Sequence, residues 1–318
     1  MISTRAAIPA GATLIAALGC SSSTQPPEGG GQWTSAARLP EPVQEMHAAV
    51  LGGRIYVAGG FDDDDDATTL AFRYDPVADV WEPIAPLPAA RHHMPLAVAG
   101  NMLYAIGGIS AAGTAVATMW VYDEANDEWD PRAALPAPRG ASAAGAVGGE
   151  LVVVGGFDDS GTLIGQVAVY DPVADEWRSG AAIPTPRDHL AAGVVDGILY
   201  AVGGRPRNAD ANFDVTEAYD ISTDAWNPRQ AMPTARGGLG AAVLGDVIFT
   251  FGGETSSTVF DNNESYNPAL NTWVRLPRMP TPRHGLGVAA VDGRIYAIGG
   301  GPDAGLAQTD VVEVFSPQ

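Results

Sequence analysis

The acid–base chemistry of this chain is carried by few residues. Only five of its 318 residues are histidines, and four of them closely follow an arginine, in "RHH" (Arg91 to His93), "RDH" (Arg187 to His189) and "RH" (Arg283, His284). The fifth, His47, lies two residues beyond Glu45, and Asp188 adds a second carboxylate beside His189. Imidazoles and carboxylates brought together can ligate a divalent metal or pass a proton. Compact signatures such as HxH, HExxH, a Ser-His-Asp arrangement or a phosphate loop are absent from the sequence. A second candidate is the run of five carboxylates from Asp62 to Asp66, of which Asp62, Asp64 and Asp66 are the metal candidates. Clustered oxygens suit a hard cation such as Ca²⁺, and a solvated acidic loop tip is the plainer reading. A third is "RPRNAD", where Arg205 and Arg207 could grip an anion bidentately or pair with the acidic loop. Cys20 is the only cysteine, which excludes an internal disulfide.

Such residues act only if a scaffold gathers them, and the scaffold is written as a repeat. "YDPVADVW" at Tyr74, "YDEANDEW" at Tyr122 and "YDPVADEW" at Tyr170 share one register. Glycine pairs begin at Gly59, Gly107, Gly155, Gly203, Gly252 and Gly299, and tryptophans fall in phase at Trp33, Trp81, Trp129, Trp177, Trp226 and Trp273. A fixed period of this kind is the mark of a repeat architecture. Within each unit two short apolar runs flank a hairpin pair, such as Gly52-Gly53 or Asp292-Gly293, that supplies positive φ. A third run ends in the Tyr-Asp phrase, and its turn leads to a fourth run bearing the tryptophan. Four strands repeated six times, with no helical periodicity, predict an all-β, six-bladed β-propeller of four-stranded antiparallel blades. The sixth unit ends before any tryptophan while Trp33 is surplus at the start, so the last blade is expected to be closed by an N-terminal strand.

The glycine pair closing a strand, the "YDP…W" phrase and the "LPxPR" that follows resemble the kelch repeat over residues 32–318. The resemblance implies a propeller and a wide choice of functions. In kelch adaptor proteins the residues just after the repeat arginine line the mouth of the central channel. Carried over by column, these positions are Gln44 and Glu45, His92 and His93, Gly140 and Ala141, Asp188 and His189, Gly237 and Gly238, and His284 and Gly285. The repeat arginines Arg91, Arg139, Arg187, Arg236 and Arg283 are expected to bond carbonyls of the adjacent blade, and Val43 breaks their column. The Tyr and Trp columns are expected to fill the space between blades. Trp120 stands outside the six-Trp column, with Phe72, Ala168, Glu217, Glu264 and Glu313 as column mates, and is expected to pack on a surface strand or, alternatively, to be an exposed contact aromatic.

Residues 1–19 resemble a bacterial lipoprotein signal, with Arg5, an apolar run from Ala6 to Leu18 and Cys20 as the lipidated residue. Residues 20–31 have the composition of a flexible tether. The protein is therefore expected on the cell envelope, or alternatively secreted, as a monomer whose membrane attachment is the lipid alone. A net charge of −20, with arginine as the only basic residue besides histidine, argues against nucleic acid and anionic membrane surfaces as partners. The leading expectation is a non-catalytic module that binds a protein or carbohydrate, with no cofactor except an optional divalent metal. The alternative is a periplasmic sugar-acid mutarotase or epimerase resembling the kelch-type sialic acid mutarotase. A copper oxidase resembling galactose oxidase is excluded, because its Tyr–Cys cross-link needs a cysteine other than Cys20.

Overall fold

The computed structural model describes residues 1–2 and 28–318; residues 3–19 of the signal segment and residues 20–27 of the tether, Cys20 included, lie outside the described residues. Strands of four to six residues build six sheets of four antiparallel strands each. The innermost strands are His47–Leu51, Leu96–Ala99, Ala143–Val147, Ala191–Val195, Gly240–Leu244 and Gly287–Val291, in blades one to six. Their Ala- and Gly-rich sequences follow from their place around the axis, where six strands converge and large side chains do not fit. In five of the six inner hairpins both turn residues take positive φ, as the Gly, Asn and Asp types require; in the fifth, Gly245 does so alone.

The ring closes as the surplus tryptophan predicts. Gly31–Ser35 pairs antiparallel with Val312–Pro317, placing Trp33 opposite Phe315. Contact with the ring begins earlier than residue 32: Glu28 bridges Arg275, and the Gly29 N–H donates to the Arg275 carbonyl.

The core is six inter-blade cores rather than one. One cluster joins Tyr74 and Val57 of blade one to Tyr296 and Ile298 of blade six, and five equivalents follow round the ring. The repeated phrase is a latch between neighbours. Trp129 Nε1 donates to the Ala85 carbonyl at 2.9 Å, and Asp127 Oδ1 accepts both the Ala85 N–H at 2.7 Å and the Tyr122 hydroxyl at 2.7 Å. Tyr, Asp and Trp thus capture both polar groups of one backbone unit in the previous blade. The same latch recurs at Tyr74, Asp79 and Trp81 on Ala37, and with Asn271 in place of Asp on Gln230. At the closing blade the captured residue is Pro277, which has no N–H. There Trp33 makes its bond to the Pro277 carbonyl and Phe315 stands for the tyrosine.

The repeat arginines bond more than carbonyls. Arg236 is fully buried, donates to the Gly252 carbonyl at 2.6 Å and pairs with Glu264 at 2.8 Å. Arg283 pairs with Glu313 at 2.8 Å, and Arg187 with Glu217. These glutamates are the column mates of Trp120, so Trp120 is not a surface aromatic. It is 7% exposed and its ring lies under the Arg91 guanidinium at 5.1 Å. The two columns therefore answer each other, carboxylate or π-face to guanidinium. Where Val43 replaces the arginine, the facing residue is Phe72, and both lie in one apolar cluster. Arg139 alone faces a small apolar residue, Ala168, and burial without a carboxylate pulls it down to about 10.

Candidate functional site

The turns between first and second strands, and between third and fourth, lie on one face. The longer loops after each glycine pair lie on the other, together with the segments passing between blades. Where those segments reach the axis they form a closed ring. The Glu45 N–H donates to Gly285, His93 to Glu45, Ala141 to His93, His189 to Ala141, Gly238 to His189 and Gly285 to Gly238, at 2.7–3.1 Å. All six residues have positive φ, between 50° and 68°. Left-handed backbone at four non-glycine positions is costly, and the closed hydrogen-bond ring is what maintains it. The second residue of each predicted pair therefore stands at the centre. The backbone of the first residue bridges the residue after its glycine pair, as Gln44 does with Phe61 and Asp188 with Arg205, while the side chains of Asp188 and His284 still reach the centre.

Side chains on this ring converge as a polar floor. His93 Nε2 lies 3.1 Å from Glu45 Oε2, and the His93 and His189 rings stand edge to face with centroids 4.8 Å apart. His189 Nδ1 is 2.6 Å from Asp188 Oδ1. His284, 1% exposed, directs Nε2 to Glu45 at 3.6 Å and to Glu254 at 3.5 Å, while its Nδ1 contacts the Gly301 carbonyl at 3.1 Å. A cavity of about 30 Å³ opens on the inner-strand side of this floor, lined by Glu45, His93 and His189 and by residues that follow the ring, such as His47 and Leu190. Burial holds His93 well below the usual histidine range, with the neighbouring His189, His92 and Arg205 charges adding to the effect. His92 is pushed down to about 4 by burial and then by His189, and burial also lowers His47.

The remaining predicted residues have structural duties. Gln44 is fully buried and ties down the last loop, donating to the Gly305 carbonyl and accepting from the Ala307 N–H. His92 stacks on Phe61 with centroids 4.0 Å apart and shares a 2.5 Å contact between its Nδ1 and that of His93. Arg205 bonds Glu254 at 2.9 Å and lies 3.7 Å from Asp188. Arg207 sits 3.5 Å over the Phe157 ring and 3.6 Å from the second Asp188 oxygen. The two arginines thus pair inward with Asp188 and Glu254, not with the acidic loop. Asp62 spends Oδ1 on the N–H groups of Asp64 and Asp66, and the loop is exposed. At this mouth three ligand-type atoms come within 4.8 Å of one another at Glu45, His93 and His189, and at Glu45, Glu254 and His284; a third such group, Asp123, Glu128 and Asp130, lies away from it on blade two.

Glu254 is the functional candidate that sequence reasoning missed. Its signal was its position: it directly follows a glycine pair, in the column otherwise held by Phe61, Ile109, Phe157, Arg205 and Gly301. That column also divides the mouth. Ile109 and Phe157 form an apolar cluster with Ala115 and Ala141 on one side, and the charged groups occupy the other.

Residues 31–182 match the family model described as the KLHDC2/KLHL20/DRC7 Kelch-repeats domain, and residues 186–233, 235–280 and 282–318 each match the Kelch motif. The solved structure of YjhT superposes with a TM-score of 0.77, covering 88% of this chain and 96% of that one at 15% identity. Likeness at that identity is a likeness of fold. Comparison with curated proteins finds no match.

Proposed function

The chain belongs to the kelch-repeat family, and from that premise we propose that it is a non-catalytic binding propeller. Its partner is a protein or a carbohydrate received on the loop-bearing face, over the polar floor. The observation that carries this reading is the contrast between the faces: one has only tight turns, while the other sets six different loops around a floor of converging side chains. Variable loops on a rigid scaffold are where recognition concentrates. The loop face also bears Asp62 to Asp66, Asp158, Asp159, Asp210 and Asp303, which favours a neutral or basic partner over an anionic one. The reading includes a monomeric propeller held at the cell envelope by lipid on Cys20, and it assigns no role to nucleic acid.

The sugar-acid enzyme is the second reading, favoured by one observation: a buried imidazole 3.1 Å from an inward carboxylate at the channel mouth. The arginines that would hold an acidic sugar, Arg205 and Arg207, are engaged by Glu254 and Asp188. One experiment separates the two readings. The soluble chain is immobilised and challenged with envelope extract and a glycan panel, alongside a loop-face variant (Asp158→Ala, Asp159→Ala, Phe61→Ala) and a turn-face variant (Val77→Arg, Val173→Arg). Loss of capture in the loop-face variant alone is expected. Loss in the turn-face variant, or mutarotation of a sugar acid above background by proton NMR, overturns the binding reading.

A further inference from the structure

We propose that the floor of the funnel is a site for a divalent transition-metal ion such as Zn²⁺, with Glu45, His93 and His189 as its protein ligands. The inference goes beyond the binding reading and does not depend on it. Three ligand-type atoms of these residues lie within 4.8 Å of one another, one from each of three blades. Bond lengths of about 2.0–2.2 Å from zinc to imidazole nitrogen or carboxylate oxygen bring tetrahedral ligand atoms to about 3.3–3.5 Å apart. The 3.1 Å separation of His93 Nε2 and Glu45 Oε2 is already close to that spacing; without metal it is the span of an N–H···O bond, and the cation takes the place of that proton, which moves to Nδ1 facing His92.

Proton bookkeeping on the neighbours points the same way. A carboxylate only accepts, so the 2.6 Å contact with Asp188 Oδ1 places the proton of a neutral His189 on Nδ1 and leaves the Nε2 lone pair free. A carboxylate behind a ligating histidine is the usual outer partner that fixes tautomer and ring orientation. His284 supplies an independent observation. Its Nδ1 donates to the Gly301 carbonyl, and its Nε2 faces oxygens of both Glu45 and Glu254 at 3.5–3.6 Å, so two buried carboxylates converge beside the proposed ligands.

The three ligands are preorganised as well as close. Each sits at left-handed φ, 53° at Glu45, 50° at His93 and 51° at His189, and is tied into the closed hydrogen-bond ring. The cavity of about 30 Å³ that they line admits an ion with a water. Two imidazoles and one carboxylate select a borderline metal over Ca²⁺ or Mg²⁺, which prefer all-oxygen shells. Three protein ligands leave a tetrahedral ion one position for water.

Isothermal titration of the metal-stripped soluble chain with ZnCl₂ tests the site, with Co²⁺ absorption as a second readout. One equivalent is expected to bind, with visible d–d bands of a nitrogen- and oxygen-ligated Co²⁺. His93→Ala and His189→Ala should each abolish those bands, and Asp188→Asn should weaken affinity about 10- to 100-fold, as for outer-shell partners elsewhere. The triple variant Asp62→Asn, Asp64→Asn, Asp66→Asn should leave the titration unchanged. Absence of binding by the folded wild type overturns the proposal, and so does binding lost in the acidic-loop variant but retained in His93→Ala and His189→Ala. These readouts use metal alone, so they stand or fall apart from partner capture.

Discussion

Removing Arg236 should expose how the blades are held. Arg236 and Glu264 are both fully buried and pair at 2.8 Å, and the guanidinium also donates to the Gly252 carbonyl. In Arg236→Val the carboxylate keeps Thr234 as a donor at 2.7 Å and the half-exposed Arg275 at 3.9 Å, but loses its buried, hydrogen-bonded charge partner. Stranding one member of a buried pair costs about 3–5 kcal/mol. The protein itself contains the compensated alternative, since blade one has Val43 and Phe72 at these positions, packed in one cluster. The double variant Arg236→Val/Glu264→Phe should therefore recover much of the loss, leaving roughly 1–2 kcal/mol for the bonds to the Gly252 and Asn262 carbonyls and to Thr250 Oγ1. Urea unfolding of wild type, both single variants and the double variant, followed by circular dichroism at constant m-value, gives the coupling energy. The deficit of Arg236→Val should also shrink in acid, because a stranded Glu264 that protonates no longer carries buried charge. A single variant within about 1 kcal/mol of wild type, or a double variant less stable than Arg236→Val, would refute the reasoning.

Two further outcomes follow from the same columns. Ala168→Glu should give the partnerless Arg139 the carboxylate its counterparts have, raising the urea midpoint by the equivalent of about 1–2 kcal/mol; a lowered midpoint would show that blade three cannot admit the side chain. The latch aspartate Asp127 is held below the usual carboxylate range by the Ala85 N–H and the Tyr122 hydroxyl, so its stabilisation is present above the ordinary carboxylate pKa and lost as pH falls through the lowered one; Asp127→Asn, which copies Asn271 of blade five, should flatten the acid limb of the stability curve, and an unchanged limb would count against the latch.

Much of this protein was legible in one dimension. The period of the glycine pairs and tryptophans determined the number of blades, and the phase of Trp33 against Phe315 determined how the ring closes. Each blade repeats the same local problem, so its solution recurs in the same letters. Even the arginine–glutamate pairing stood in the sequence as two columns, although only burial revealed that they face each other and that Trp120 belongs to them. The candidate site was legible by position but not by direction. Columns brought Glu45, His93 and His189 to the mouth, whereas the left-handed backbone of the closed ring decided that these residues, and not Gln44 or His92, stand at the axis. Glu254 and the pairing of Arg205 with it could emerge only in three dimensions, because those contacts join neighbouring blades 49 residues apart. A repeat sequence determines what each blade presents. The axis, where six blades meet, is a property of none of them singly, and its chemistry is decided by tertiary closure.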